Sequence, residues 1–259
     1  MDKIHRLRNY RLKINRFLAI IFLISSGCAF SAEIRMAPPN EFVDTSKVIL
    51  ISGDVKKGDT DKLVNLLLNL PKEKLPVSTL LLGPSLGGNL EEAMNIGFLV
   101  RKLKWKVTVF DTCYSACSLI ALSGVYRVYA GDIGLHRPYF ESEFYGDRDA
   151  YDIEKWHKSI NKKVENFLKD SYVEKTVIDK MMSVNSQNIW VIPGHEAGAE
   201  LGNFDPYFEE LILSRCEGKP TTMPDFEMNA ACLHKELQKI QRTALITFLK
   251  AVKNPTFSQ

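Results

Sequence analysis

The sequence predicts an α/β protein built on a mostly parallel sheet. Three observations carry that expectation. Short apolar runs bounded by glycine or other turn residues read as buried strands, stretches with apolar residues at helical spacing read as helices, and the two alternate along residues 47–135. Strands joined by helix-length crossovers lie parallel, and the crossing helices cover both faces of the sheet. At 259 residues, 45% hydrophobic and 25% charged, the chain has the composition of a globular protein of one large domain or two small ones.

Residues 32–46, with Pro38-Pro39 and little periodicity, read as an extended lead-in. Lys47–Ser52 (KVILIS) stops at Gly53 and is the first buried strand. Asp61–Leu70 carries Leu63, Val64, Leu66, Leu67 and Leu70, an amphipathic helix ended by Pro71. Val77–Leu82 is a second strand and runs into Gly83-Pro84-Ser85-Leu86-Gly87-Gly88. In Asn89–Leu103 the residues Leu90, Ala93, Ile96, Leu99 and Val100 recur at helical spacing. Trp105–Phe110 alternates as a third strand, Ser115–Leu122 is a helix of small residues, and Val125–Tyr129 and Ile133–Leu135 are short strands. Asp149–Ser171 is a long polar helix. Its narrow stripe of Ile153, Trp156, Ile160, Val164 and Phe167 predicts packing on a partner or passage across the body. Ile189–Ile192 resembles a last strand and Gly194–Leu201 a helix. Past about residue 205 a cysteine-containing loop precedes a terminal helix near Phe226–Lys250.

Charge separates the first 31 residues from the rest. They hold six Lys/Arg (Lys3, Arg6, Arg8, Arg11, Lys13, Arg16) and one Asp, which leaves 28 basic and 30 acidic residues elsewhere. A slightly acidic body offers no phosphate-neutralising surface, which argues against nucleic acid as a partner. The basic start leads into Phe17–Phe30 (FLAIIFLISSGCAF), fourteen residues against the roughly 20 that a spanning helix needs. Together these features predict a secretory signal peptide over residues 1–31, with Ala29 and Ser31 at −3 and −1 for cleavage before Ala32. Export to the periplasm is the expected destination. Ser25-Ser26-Gly27-Cys28 also resembles a lipobox, and a lipidated Cys28 or a retained leader would tether the chain to a membrane.

Four cysteines remain beyond the leader, in a compartment where disulfides persist. Cys216 and Cys232 flank a Gly/Pro-containing loop that a disulfide would close. Cys113 and Cys117 bracket Ser115, either as small apolar residues lining a site or as a disulfide clamping the turn. No Cys or His pair stands at metal-ligand spacing, and no metal or cofactor is expected.

Three segments could carry chemistry. Gly87-Gly88 lies between a strand and a helix, where backbone N–H groups cradle an anion or simply turn the chain. Asp111-Thr112-Cys113-Tyr114-Ser115-Ala116-Cys117-Ser118 joins strand to helix, so Ser115 is either an ordinary N-cap or a reactive hydroxyl beside unpaired N–H groups. Ile133-Gly134-Leu135-His136-Arg137-Pro138 ends a short strand in a histidine. His157, His195 and His234 have no such setting and read as surface residues.

In this order the segments Ile49–Val55, Pro84–Leu90, Asp111–Gly124 and Gly134–Pro138 resemble the proteolytic subunit of Clp protease and its exported relatives. Ser85-Leu86-Gly87-Gly88 is similar to that family's S-P-G-G turn with Leu86 replacing proline, Cys113–Cys117 to its serine segment, and Ile133–Pro138 to its histidine segment. Asp149–Leu168 corresponds to the long handle helix, and Glu196-Ala197 with Leu201–Asp205 to the E-A and G-L-V-D ending. The resemblance spans residues 47–207 and leaves 208–259 as a C-terminal extension. It implies a crotonase-like ββα superhelix with a handle helix, and a serine hydrolase. Ser115 would be the nucleophile and His136 the general base, with the N–H groups of Gly87 and Ala116 as oxyanion hole. Such donors contribute roughly 2.7–4 kcal/mol each. Aligned back from Glu196-Ala197, the third member falls on or beside Asn188. An amide oxygen there can orient the imidazole but not neutralise the imidazolium, and Asp179 and Asp205 are the alternatives.

The resemblance further implies a peptide or protein substrate bound by β-augmentation, and it allows a homo-oligomer. Two other readings share the scaffold. One is an inactive binding or assembly module, kept open by Asn188. The other is acyl-CoA chemistry, disfavoured by the nucleophile–base order and by export. Cys117 as nucleophile, or a lysine paired with Ser115, are variants of the enzyme.

Overall fold

The computed structural model describes residues 32–39, 45–140, 142–216 and 223–253. The leader, with Cys28, lies outside the described residues. The described residues begin with β1 (Glu33–Met36) and β2 (Val48–Ser52), then α1 (Asp59–Asn69), β3 (Thr79–Leu82) and α2 (Leu90–Leu103). It continues with β4 (Lys106–Val109), β5 (Cys113–Tyr114), α3 (Ala116–Leu122), β6 (Tyr126–Tyr129) and β7 (Ile133–Leu135). Then come α4 (Ser142–Tyr145), α5 (Ala150–Asp170), α6 (Lys175–Ser183), β8 (Trp190–Ile192), α7 (Gly194–Leu201), α8 (Pro206–Arg215) and α9 (Met223–Lys253).

The main sheet runs β1-β2-β3-β4-β6. Every pair from β2 onward is parallel, as the crossovers require, and β1 joins antiparallel as an edge strand drawn from the lead-in. One register row aligns Ile49, Leu80, Val107 and Arg127, and the next row on that face begins Ile51, Leu82, Val109. All seven are buried, whereas Leu50, Leu81 and Thr108 on the opposite face are half-buried. The sheet is therefore fully covered on one face only. Leu63 and Leu67 of α1, Ile96 and Val100 of α2 and Ile120 of α3 join the same core.

A second, smaller sheet runs β5-β7-β8. Isolated parallel bridges extend it, Val55 with Gly88 and Ser85 with Cys113. After each of the main-sheet strands β2, β3, β4 and β6 the chain thus makes a short pairing in a second layer. This second layer positions the candidate site.

Several boundaries differ from the sequence reading. The stretch past residue 205, expected as a loop, holds α8, which starts with Pro206 at its first turn, where the missing N–H is no loss. Ser115 precedes α3 and is not part of it. The stripe of α5 packs only in its second half: Val164 and Phe167 are buried, while Trp156 is exposed. Phe167 reaches the core over Gly97, where a Cβ would lie 2.5 Å from its Cζ. His157 is half-buried, set edge-on to Phe140 and bonded to the Tyr145 hydroxyl at 3.2 Å. α9 docks through Leu245 and Phe248, and buried Gln241 donates from Nε2 to the carbonyls of Ser78 and Lys104. No described helix is long and apolar enough to cross a membrane.

A charged anchor inside the fold escaped the sequence reading. Arg127, 1% exposed, donates to Gly124 O, Ser171 O and Asp205 Oδ1 at 2.9, 2.6 and 2.8 Å. Arg101 Nη2 donates to Asp205 Oδ2 at 3.0 Å. Burial holds the Asp205 carboxyl above its ordinary value, an effect the two guanidinium groups reduce but do not cancel.

Candidate active site

Three chain segments are laid side by side by backbone pairing. Ser85 N–H donates to Thr112 O at 2.8 Å, Tyr114 N–H to Ser85 O at 3.1 Å, and Ser115 N–H to Gly134 O at 2.8 Å. Parallel register pairs Cys113 with Ile133 and Tyr114 with Gly134, so Ser115 emerges beside the segment that ends in His136. Gly134 is required here, because a Cβ would lie 2.5 Å from the Tyr114 ring. Ser115 and His136, 21 positions apart along the chain, thus reach one cavity of about 600 Å³, lined also by Ala116, Gly88, Leu86 and Tyr139 among others.

Ser115 is not an ordinary helix cap. A capping serine takes an extended backbone and accepts a bond from the first turn. Ser115 has φ 54° and ψ −123°, and its side chain makes no cap bond. It is one of three non-glycine residues with positive φ among the described ones. A strained strand-to-helix elbow of this kind holds a side chain out of both elements. Ser118 steadies the helix side, donating from N and Oγ to Ser115 O at 3.0 and 2.5 Å.

The diglycine bend fits against this elbow. At Gly87, φ 120°, a Cβ would lie 2.6 Å from Ser115 Cβ and 3.1 Å from Ala116 N. Gly87 N–H donates to Ser85 Oγ at 3.2 Å. Val55 holds the other side of the bend, pairing with Gly87 O and Asn89 N–H at 2.7 and 2.8 Å. The N–H of Gly88 has no acceptor among the described residues, and Gly88 lines the cavity. Asp54, which the sequence reading did not single out, accepts from Leu86 N–H at 2.9 Å and fixes the entry to the bend.

His136 is half-buried, and its Nδ1 lies 2.8 Å from Arg137 O. A carbonyl only accepts, so Nδ1 is the donor here, and Nε2 is the ring nitrogen placed to exchange a proton. Among the described residues no hydrogen bond joins His136 to Ser115 Oγ. Among the described residues no hydrogen bond joins Asn188 to the imidazole either. Its side chain is exposed, its N–H donates to Asn185 O, and extending the β7–β8 register sets Ile189 opposite His136. Asp179 pairs with Lys175 on an exposed helix face, and Asp205 is held by Arg101 and Arg127. The acceptor on Nδ1 is a main-chain carbonyl, which sequence patterns do not reveal.

Cys113 and Cys117 form a disulfide, as do Cys216 and Cys232. The first pair brackets Ser115; the second ties the end of α8 to α9. Among the described residues no group of three or more His, Cys, Asp or Glu could hold a metal ion.

No family model matches the sequence, and no curated protein matches it. Among solved structures the chain is similar to a ClpP1 mutant from Listeria monocytogenes, at 18% identity over 61% of this chain and 89% of that one, with a TM-score of 0.44.

Proposed function

We propose that the chain is an exported serine hydrolase of the ClpP-like ββα superhelix class, a peptidase of extended segments. The observation that carries the reading is the strained elbow at Ser115, facing the same cavity as His136. Ser115 Oγ attacks an acyl carbonyl and His136 Nε2 takes its proton, then returns it to the leaving group. The oxyanion lies between the N–H of Ala116 and that of the diglycine bend. Because Gly87 N–H is engaged by Ser85 Oγ, Gly88 is the donor from the bend, displacing Gly87 from that role. Proton transfer needs the Ser115–His136 gap to close when substrate enters, as hydrogen bonds at empty sites commonly do. Arg137 O holds the ring tautomer in place of a carboxylate, without its charge.

Labelling with a fluorophosphonate probe tests the proposal. Attachment to Ser115 that falls by roughly 10²–10⁴-fold in His136→Ala supports it. A folded protein that takes no label favours the second reading, an inactive module for binding or assembly. Two facts favour that second reading: among the described residues no carboxylate is bonded to His136 Nδ1, and none of their hydrogen bonds joins the pair.

A further inference from the structure

We infer that the Cys113–Cys117 disulfide is the positioning device of Ser115, holding residue 115 in its left-handed conformation so that the hydroxyl is presented only once the bond has formed. This rests on the reading of Ser115 as the nucleophile. Cys113 opens β5, Cys117 is the second residue of α3, and their Cα atoms stand 5.3 Å apart. Ser115 is the midpoint of the five-residue ring that the bond closes. A positive φ at a serine costs free energy and persists only where the surroundings impose it. The diglycine bend packs against the elbow from outside, and the backbone hydrogen bonds on Ser115 act on one side each. Ser115 N–H is held by Gly134 O on the strand side, and Ser115 O by Ser118 on the helix side. The serine side chain adds no cap. The disulfide adds a covalent cross-link from incoming strand to outgoing helix beside the main chain, closes the turn into a ring, and so sets the angle between them.

The consequence is latency. Made where thiols stay reduced, the chain has the serine without its geometry. In an oxidising compartment the bond forms by exchange with a disulfide oxidant. Cys113 and Cys117 lose two protons and two electrons, and the oxidant's disulfide takes them up as two thiols. Both sulfurs belong to buried residues, 0% and 2% exposed, so once closed the bond is shielded from thiols in solution.

The test compares the oxidised chain with Cys113→Ala/Cys117→Ala, which keeps the Cys216–Cys232 bond. Fluorophosphonate attachment to Ser115 is followed by mass spectrometry, and amide hydrogen exchange is resolved by peptide. The expected result is a labelling rate lower by about tenfold or more, with the half-saturating probe concentration changed by less than about threefold. Exchange accelerates in residues 113–118 and nowhere else. Unchanged labelling with unchanged exchange overturns the inference. If the oxidised wild-type chain takes no label, the hydrolase reading fails on its own and exchange decides the clamp: acceleration confined to 113–118 supports it, and none overturns it. If the double variant does not fold, Ser115→Gly is added, since glycine accepts this φ at no cost. Recovered folding supports the clamp; continued failure overturns it.

Discussion

Gly87→Ala separates the strain in the diglycine bend from its contact with the serine. A Cβ at position 87 would lie 2.6 Å from Ser115 Cβ, with Tyr114 O at 3.0 Å and Ala116 N at 3.1 Å. Carbon atoms in contact sit about 3.5–4.0 Å apart, so Ser115 must give way by about 1 Å. The neighbours are backbone and a Cβ, not flexible tips, so the displacement falls on the elbow itself. A misplacement of about 1 Å at a reacting group costs on the order of 10²-fold in rate. Separately, the φ of 120° is disfavoured for any L-residue, by about 1–3 kcal/mol. At this chain length that lowers Tm by roughly 2–12 °C. Gly58→Ala is the control, because Gly58 has φ 94° with nothing within 4 Å of its Cβ position. It should lose similar thermal stability and keep its labelling. The assay is the fluorophosphonate labelling rate at Ser115 beside a calorimetric Tm for both variants. If Gly87→Ala labels as fast as Gly58→Ala, the bend does not support the serine and the reasoning fails.

Three further outcomes follow from the same geometry. Asn188→Ala should leave labelling within about twofold of wild type, as expected for an exposed side chain with no hydrogen bond to the imidazole; a much larger loss in labelling kinetics would support Asn188 as the third member. Asp205→Ala leaves Arg127 buried and unpaired and should cost about 3–5 kcal/mol, read as a fall in denaturant midpoint; a change below about 1 kcal/mol would mean that the pair is not an anchor. Tyr129 and Tyr207 are pushed up to about 12 by burial, from an ordinary 10.0, and Tyr129 donates its proton to Gly202 O. The folded state therefore keeps these protons after the unfolded chain has released its own, so stability is unaffected by them below pH 10 and falls from there toward about 12. Phenolate absorbance titrated against pH, with unfolding followed in parallel, checks this; all tyrosines ionising together near 10 would refute it.

What the sequence made legible is what local chemistry dictates. The parallel sheet followed from Val48–Ser52, Thr79–Leu82 and Lys106–Val109, whose apolar runs leave few alternatives once helices separate them. The segments around Gly87, Ser115 and His136 stood out for the same reason: glycine, small residues and a histidine at strand ends are local marks. Helix α8 was hidden because its hydrophobic pattern is weak and only Phe208 is buried. Arg127 did leave a mark, a lone charge inside the strand Tyr126–Tyr129, and such a charge demands a partner. Nothing in the sequence tied it to Asp205, 78 positions away.

The third member of the site shows where that limit lies. Alignment with the resembling family put it on or beside Asn188, but proximity to His136 is decided by the β7–β8 register, set by backbone pairing of Ile133–Leu135 with Trp190–Ile192. Shifting a strand by one residue exchanges its faces, so an alignment uncertain by one position cannot say which side chain meets the ring. The partner found on Nδ1 is the carbonyl of Arg137, a group every residue possesses. That changes what the site is able to do. A carbonyl fixes the tautomer, as a carboxylate would, but it offers a dipole where the imidazolium of the transition state calls for a full negative charge. If the hydrolase reading holds, the step most affected is proton transfer to His136. Slow acylation by unactivated amides, with far less impaired reaction toward activated esters and phosphonates, is then the expected signature. Equal loss toward amides and activated esters would place the deficit in substrate positioning instead.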